Sequence, residues 1–336
     1  MTDLPWHDPA FQADAEAWIH GSLADAGLRQ RGPIERPHVF WWSTAWRIPT
    51  DAGVLWFKGT QPEGAFEARL TPLLAASWPD RTVEVVATDP GRGWALTRDA
   101  GIKLRELDDG RVVEHWEALL PRYAEIQVAF AGRIDQLLAM GVPDLRLATL
   151  PGQLAALVEE PELLMLGQEG GVGEDQRGRL REGLARFAAE CERLASAGIP
   201  ETLQHDDLND GNAFLRGEDH VVFDWGDACI AHPFHSLVVA LRSLAYRNGW
   251  APNGSEVTRL LDAYLEPWSR HGSRAVLRDA ASVARRTGTV QRSLAWRRSV
   301  LGMPAALRDE YVDSVPYGLR LYLLDGPWGS WDDGTF

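Results

Sequence analysis

Lysine is almost missing from this chain. Among 336 residues with 34 basic side chains, only Lys58 and Lys103 are lysines, and the rest are arginines. Chemistry that needs a flexible, point-charged ammonium therefore has only these candidates. Cysteine is equally scarce. Cys191 and Cys229 are too few for a disulfide framework or a Cys-x-x-Cys metal site, so a reducing, cytoplasmic setting is the default expectation. No apolar run reaches the roughly 18 residues that a membrane helix needs. The opening MTDLPWHDPAFQADAEAW has neither a basic start nor an apolar stretch, so it does not read as a signal peptide. Positive charge is also in deficit. The formal net charge is -14, a field that repels nucleic acid and anionic membrane. It suits a cationic small substrate, although many cytosolic proteins are acidic for solubility alone. There is no internal repeat or low-complexity linker, and nothing bears on oligomeric state.

What is present is organised in two parts. Residues 1–30 read as one amphipathic helix ending near Gly27. PHVFWWSTAWRIPT and GVLWFKG are rich in β-branched and aromatic residues and are separated by the turn TDAG, which predicts a β-hairpin. GAFEARLTPLLAASW has helical spacing, and RTVEVVATD and GRGWALTRDAG predict two more strands. From about residue 114 the pattern turns helical. One long helix is expected over 114–141, then PGQLAALVEEPELLML and DQRGRLREGLARFAAECERLASAG. The glycine-rich GQEGGVGED between the last two has no preceding strand and no Gly-Lys-Ser/Thr, so it reads as a connection and not a phosphate loop. QHDDLNDGNAFLRGEDHVVFDWGDA interrupts the helices with a hairpin-like segment. Helices resume with SLVVALRSLAYRN, SEVTRLLDAYLEPWSRHG, RAVLRDAASVARRTG, TVQRSLAWRRSVLG and YVDSVPYGLRLYLLD, and the tail GPWGSWDDGTF is expected to be irregular. The expected class is α+β, with a small, mainly antiparallel β N-lobe over residues 1–101 and a large helical C-lobe over 102–336.

The acidic run Gln204–Asn212 carries the chemistry. As an EF-hand loop beginning at Asp206, it would put Leu208 and Gly217 where ligands are required, so calcium is excluded. As His205-x-Asp207 followed five residues later by Asn212, it matches a kinase catalytic loop, H-x-D-x-x-x-x-N. Asp207 would accept or orient the acceptor hydroxyl proton, and Asn212 would offer an amide oxygen to Mg²⁺. Farther on, Val-Val-Phe-Asp224-Trp225-Gly226 ends an apolar strand in a carboxylate, so that Asn212 and Asp224 would share the metal from two sides of one hairpin. The same pattern demands a strand lysine and a glutamate on the next helix. Lys58 ends VLWFK, and Glu67 lies in AFEARL. The strand containing Thr97 and the hinge near Gly101 would meet the adenine.

These residues resemble the aminoglycoside phosphotransferase family, a small-molecule branch of the protein-kinase-like fold. The family loop reads roughly H-G-D-x-x-x-x-N followed by an apolar F-D-W or I-D-W strand, here His205, Asp207, Asn212 and Phe223-Asp224-Trp225. The resemblance spans about residues 35–325. It implies a bilobal kinase-like fold, ATP and Mg²⁺ as cofactors, and a small hydroxylated acceptor. An amino sugar or aminoglycoside is the first choice, then a neutral sugar, choline or an amino alcohol. The chain departs from the family pattern in three ways. Asp206 replaces the loop glycine. The nucleotide-covering turn, Phe40-Trp41-Trp42-Ser43-Thr44-Ala45-Trp46, has no glycine, which leaves the Ser43 and Thr44 hydroxyls and backbone N–H groups for the phosphates. Asn209 stands where protein kinases carry a lysine, and no activation segment follows Gly226; both features argue against a protein substrate. The glycine-free turn also admits a second class of function, a non-catalytic nucleotide-binding module.

Plainer roles compete at several positions. Lys58 could be a strand-edge lysine, and Glu67 a helix surface residue with Glu63 as its rival. Lys103 reads as a surface or junction residue, and His205 as a structural brace rather than a base. Asp227 could support the metal or the loop. His232 and His235 read as loop packing, and the tryptophans as core, with Trp250 and Trp268 also considered for a sugar site. Asp206, Asp210, Asp227, Glu266 and Asp325 are the carboxylates considered for recognising a cationic acceptor.

Overall fold

The structure is a computed structural model that describes residues 4–324. The chain divides into two compact units. The first takes in the chain up to Lys103, Ala213–Gly226 and Met303–Leu307; the second takes in Leu104–Asn212, Asp227–Gly302 and the chain from Arg308 on.

The first unit opens with α1 (Pro9–Asp25). Asp8 caps it by accepting the Ala10 N–H, Pro9 occupies the first helical position, and Gly27 leaves the helix in the left-handed region with φ of 68°. The strands β1 (Glu35–Val39), β2 (Ser43–Thr50) and β3 (Gly53–Thr60) follow, then α2 (Glu67–Ser77), β4 (Val85–Asp89) and β5 (Trp94–Arg98). The strands form one antiparallel sheet in the order β1-β2-β3-β5-β4. Strand alternation sorts the side chains between its faces. Trp46, Ile48, Leu55, Phe57, Trp94 and Leu96 face Ala15, Ile19 and Leu23, which recur every four residues along one stripe of α1. The other face carries Ala45, Lys58 and Ala95, which lie side by side across β2, β3 and β5. A short β6 (Ile102–Lys103) completes this stretch.

The expected first strand of the hairpin is in fact two strands. Aromatic residues favour a pleated surface, which made the run through Phe40–Trp42 read as continuous. Instead, the Phe40 and Trp42 rings stack with centroids 5.3 Å apart, the Trp6 indole donates to the Phe40 carbonyl at 2.6 Å, and the Phe40 N–H closes a turn onto Ser43 O at 2.9 Å.

The second unit begins with α3 (Val112–Phe130) and α4 (Ile134–Met140), where one helix was expected. The break falls at Gly132, whereas Pro121 sits inside α3. α5 (Leu150–Val158), α6 (Glu174–Glu182) and α7 (Leu184–Ser196) follow, with Gly183 dividing the last two, which had also read as one. After β7 (Thr202–Gln204) comes the acidic loop. The chain then gives the first unit β8 (Ala213–Arg216) and β9 (Asp219–Val222), an antiparallel hairpin that pairs with β6. β10 (Cys229–Ala231) returns to pair with β7. α8 (Ser236–Asn248), α9 (Ser255–Leu265), α10 (Arg274–Gly302), α11 (Ala305–Tyr311) and α12 (Ser314–Leu323) complete the described chain.

α10 corrects another expectation. It is one helix of 29 residues, not two. Gly288 looked like a terminator. It lies mid-helix because any Cβ there would come within 2.6 Å of Val238 Cγ2. Asp325 and the tail expected to be irregular lie outside the described residues. Among the described residues no helix is long and apolar enough to cross a membrane. The observed class is the expected one, a mixed α+β chain with an antiparallel β-rich part and a larger helical part.

Candidate active site

In the first unit, Lys58 projects from β3 between Ala45 and Ala95, whose small side chains leave room for its stem. Its ammonium lies 2.9 Å from Glu67 Oε1, 2.7 Å from Glu67 Oε2 and 2.5 Å from Asp224 Oδ1. Glu67 opens α2, where the helix dipole favours an acidic side chain. Its rival Glu63 is exposed. Asp224 follows β9 by one residue and holds φ at 63°, a left-handed conformation that aspartate tolerates better than most residues. The neighbouring Phe223 ring lies 5.7 Å from the ammonium. Phe223 also lines a small cavity with Lys58, Thr60, Glu67, Ala68, Thr71, Gly93 and Ala95.

Burial works against the charge on Lys58, but the Asp224 and Glu67 carboxylates outweigh it and hold the ammonium above its ordinary pKa. Burial pushes Glu67 upward, with Lys58 opposing only in part. Both carboxylates contact the ammonium, and the Asp224 side chain is 50% exposed against 5% for Glu67. An exposed carboxylate is a hard oxygen donor, the type of ligand a divalent ion such as Mg²⁺ takes.

The other residues expected at the nucleotide divide by strand alternation. Ser43 shares the face of Lys58, two residues from Ala45, and so does Thr97, two residues from Ala95 and buried. Thr44 does not. It points to the opposite face, where its hydroxyl donates to the His38 carbonyl at 3.0 Å and accepts from the Trp46 indole at 3.0 Å. Its side chain is therefore withdrawn from the phosphate role considered for it. Lys103 lies in β6 opposite Phe214 and takes no part in the Lys58 cluster.

In the second unit, the acidic loop is a braced structure. Asp207 Oδ2 accepts from Asn209 Nδ2 at 3.1 Å and from Asn212 Nδ2 at 2.8 Å, while Oδ1 accepts from Arg292 Nη2 at 3.0 Å. Since the Asn212 nitrogen also reaches the Asp207 carbonyl at 2.9 Å, its amide oxygen is turned the other way. The buried His205 accepts the Asp207 N–H on Nδ1 at 3.3 Å, and its backbone N–H donates to the Tyr123 hydroxyl at 3.0 Å, which is the geometry of a brace. Asp210 is buried and bonded to Arg105 at 3.1 Å and Arg247 at 3.2 Å. Arg105 also donates to Asn209 Oδ1 at 2.8 Å, and it packs so closely that a Cβ at Gly211 would fall 2.0 Å from its guanidinium.

Several substrate-facing expectations fail here for one reason, burial. Asp206 is 2% exposed and turned inward. Gln204 donates to it at 3.2 Å, Gln291 at 3.0 Å and Arg292 at 3.1 Å, and burial holds its carboxyl above the usual range. Asp210 is a brace. Trp268 is wholly buried against Phe234, so it is core and offers no sugar platform. His232 and His235 are likewise core, and burial keeps both neutral. Asp227 is partly exposed, 3.6 Å from Arg292, while Glu266 is exposed at the end of α9. Arg292 was missed. In an arginine-rich chain, nothing in the sequence around position 292 sets it apart.

Among the described residues no group of three or more His, Cys, Asp or Glu side chains is placed to hold a metal by itself. The strand lysine paired with a helix glutamate, the carboxylate that follows the β-hairpin and the aspartate loop of the helical unit belong to a kinase-like phosphotransferase. The sequence model of the APH family, described as a phosphotransferase enzyme family, matches residues 51–284, and the chain belongs to that family. It is an enzyme, a small-molecule phosphotransferase.

Solved structures show the same fold. A macrolide 2'-phosphotransferase of type I aligns over 93% of this chain and 97% of its own, at 14% identity and a TM-score of 0.55. A choline/ethanolamine kinase family protein from Mesorhizobium loti aligns over 93% and 94%, at 16% identity and 0.56. The GDP complex of wild-type aminoglycoside 2'-phosphotransferase-IIIa aligns over 91% and 99%, at 15% identity and 0.57. No curated protein matches the sequence.

Proposed function

We propose that this protein is an ATP- and Mg²⁺-dependent O-phosphotransferase whose acceptor is a small hydroxylated metabolite, an amino sugar or aminoglycoside in the first instance. The observation that carries this reading is the Lys58 ammonium held between the buried Glu67 carboxylate and the exposed Asp224 carboxylate. On this reading Lys58, fixed by Glu67, binds the α- and β-phosphates, and Ser43 and Thr97 lie on the same sheet face for the nucleotide. Asp224 and the Asn212 amide oxygen are the residues that would each offer the metal an oxygen ligand. Bound Mg²⁺ supplies charge neutralisation on the phosphates. Asp207, its carboxylate oriented by Asn209, Asn212 and Arg292, takes or aligns the proton of the acceptor hydroxyl. Such catalysis is mostly positioning and electrostatics, because phosphoryl transfer asks for little covalent work from the protein.

A cationic acceptor is supported by charge. Asp206, Asp207 and Asp227 stand around the Arg292 guanidinium, and Asp207 and Asp227 are partly exposed, so acidic side chains are open to a cationic group. The net charge of -14 has the same sign. The test is ADP release from Mg·ATP, with Mg·GTP in parallel because one similar structure was captured with GDP. The acceptors are a panel of amino sugars, aminoglycosides, neutral sugars and choline. Turnover with an amino-bearing sugar supports the proposal. Nucleotide binding without turnover on any acceptor favours the non-catalytic module instead.

A further inference from the structure

Arg292 lies beyond residue 284, where the family match ends, so membership of the family assigns it nothing. Its guanidinium is shared between consecutive carboxylates, with Nη1 3.1 Å from Asp206 Oδ2 and Nη2 3.0 Å from Asp207 Oδ1. In extended backbone, consecutive side chains point to opposite sides. Asp206 has φ of 63°, and this left-handed turn allows one planar group to reach both. The two carboxylates differ in setting. Asp206 is sealed in and also held by Gln204 and Gln291, whereas the Asp207 side chain is 28% exposed. One is an anchor and the other faces outward.

The helix that carries Arg292 is fixed at that height. Thr287, Val290, Gln291 and Ser293 have no exposed surface, and His235 Nε2 meets Thr287 Oγ1 at 3.0 Å. α12 crosses so closely that a Cβ at Gly318 would fall 2.3 Å from the Thr289 carbonyl. A side chain rooted in such a rod and clasped at one nitrogen has little freedom at the other.

We propose that Arg292 is a positioning residue for phosphoryl transfer: clasped by Asp206, it holds the Asp207 carboxylate in its acceptor-facing orientation. The proposal rests on the role of Asp207 given above. It also gives Asp206 its function, as the clasp that stands where the family pattern has glycine. Arg292 fixes Oδ1 of Asp207 while the amides of Asn209 and Asn212 fix Oδ2, which sets the plane of the carboxylate. A lysine at 292 would place a point charge there but could not span both carboxylates as a planar fork does. With its nitrogens on carboxylates, Arg292 is not set to receive an anionic acceptor.

The test uses the full chain with Arg292→Lys, Arg292→Ala and Asp206→Gly, each checked for folding by thermal melting. Asp206→Gly suits the left-handed backbone and removes the clasp, together with the bonds from Gln204 and Gln291, while leaving Arg292 in place, so it serves if an Arg292 variant fails to fold. Crystal structures of Arg292→Lys and Asp206→Gly should show the Asp207 carboxylate rotated or in more than one rotamer; a single unchanged rotamer overturns the proposal. With an acceptor that the wild type phosphorylates, kcat should fall ~10- to 100-fold while KM for Mg·ATP stays within about twofold. Millimolar guanidinium, far below denaturing levels, should restore part of the Arg292→Ala turnover where potassium at equal ionic strength does not. Unchanged kcat in Arg292→Lys, or equal effects of the two salts, overturns it as well. If the wild type phosphorylates nothing, the proposed function fails, and the crystal structures still decide the positioning of Asp207.

Discussion

Replacing Lys58 with methionine tests the buried cluster in the first unit through stability alone, without any substrate. Methionine keeps the length of the stem and deletes the charge. Glu67, with a side chain 5% exposed, is then a buried carboxylate without its cation. Breaking a buried pair by removing one partner destabilises by about 3–5 kcal/mol. The contact with Asp224 adds little to that figure. Its carboxylate is half exposed, and solvent screening reduces such a pair to under ~1 kcal/mol. Lys58→Met should therefore lose about 3 kcal/mol at pH 7. The loss should depend on pH with a definite sign. Burial already raises the Glu67 pKa in the wild type, and without Lys58 the rise is larger. A folded state with a raised carboxyl pKa binds a proton that the unfolded state gives up, so its deficit shrinks as pH falls from 8 toward 5. Each tenfold gain in the proton affinity of Glu67 is worth about 1.4 kcal/mol. Converting the pair to Lys58→Met/Glu67→Leu should bring stability back to within about 1 kcal/mol of wild type, because an apolar pair no longer buries a charge. Urea unfolding followed by tryptophan fluorescence measures all three proteins. A neutral Lys58→Met, or a double variant as unstable as the single, refutes the assignment of Glu67 as the buried partner.

Other predictions follow from the same geometry. Asp207→Ala should lower turnover by at least ~10²-fold while Mg·ATP still binds, and near-normal turnover would remove Asp207 from the acceptor role. Asp224→Ala should abolish Mg²⁺-dependent nucleotide binding, and a titration showing unchanged Mg·ATP affinity would contradict its place at the metal. His235 is held neutral by burial, its pKa lowered to about 3, and burial lowers His232 as well. The unfolded chain takes up these protons near pH ~6.5, so the stabilisation is complete above that value and is lost as pH falls, for His235 toward about 3. His235→Leu should flatten the stability profile between these limits, and an unchanged slope would exclude a buried neutral imidazole. Gly318→Ala places a Cβ 2.3 Å from a backbone carbonyl, and overpacking of this kind should lower stability by about 1–3 kcal/mol in thermal melts.

Much of the site was legible because its spacing is local and its residue types are rare. Lys58 stood out in a chain with one other lysine, and His205, Asp207, Asn212 and Asp224 form a linear pattern. The division into a β-rich and a helical part was legible from periodicity. Element ends were less so. A glycine breaks the helical run at Gly132 and Gly183, yet Gly288 lies inside an unbroken helix, because what decides is the neighbour packed against it and not the glycine itself. Thr44 was grouped with Ser43 in the nucleotide-covering turn, but both lie in β2, where neighbouring side chains take opposite faces.

By itself the sequence determined the reaction class that the chain is equipped for, since a lysine, its glutamate and the aspartate loop must recur at readable distances along the chain. Only the tertiary structure decided which carboxylates are buried as braces and which stay open to solvent. Asp206 and Asp207 are adjacent and chemically identical, yet one is buried under Arg292 and Gln291 from α10 and the other remains partly exposed. That difference comes from the turn at Asp206 and from a helix some eighty-five residues farther along the chain. Burial of this kind is a property of packing, and no local pattern in QHDDLNDGN encodes it.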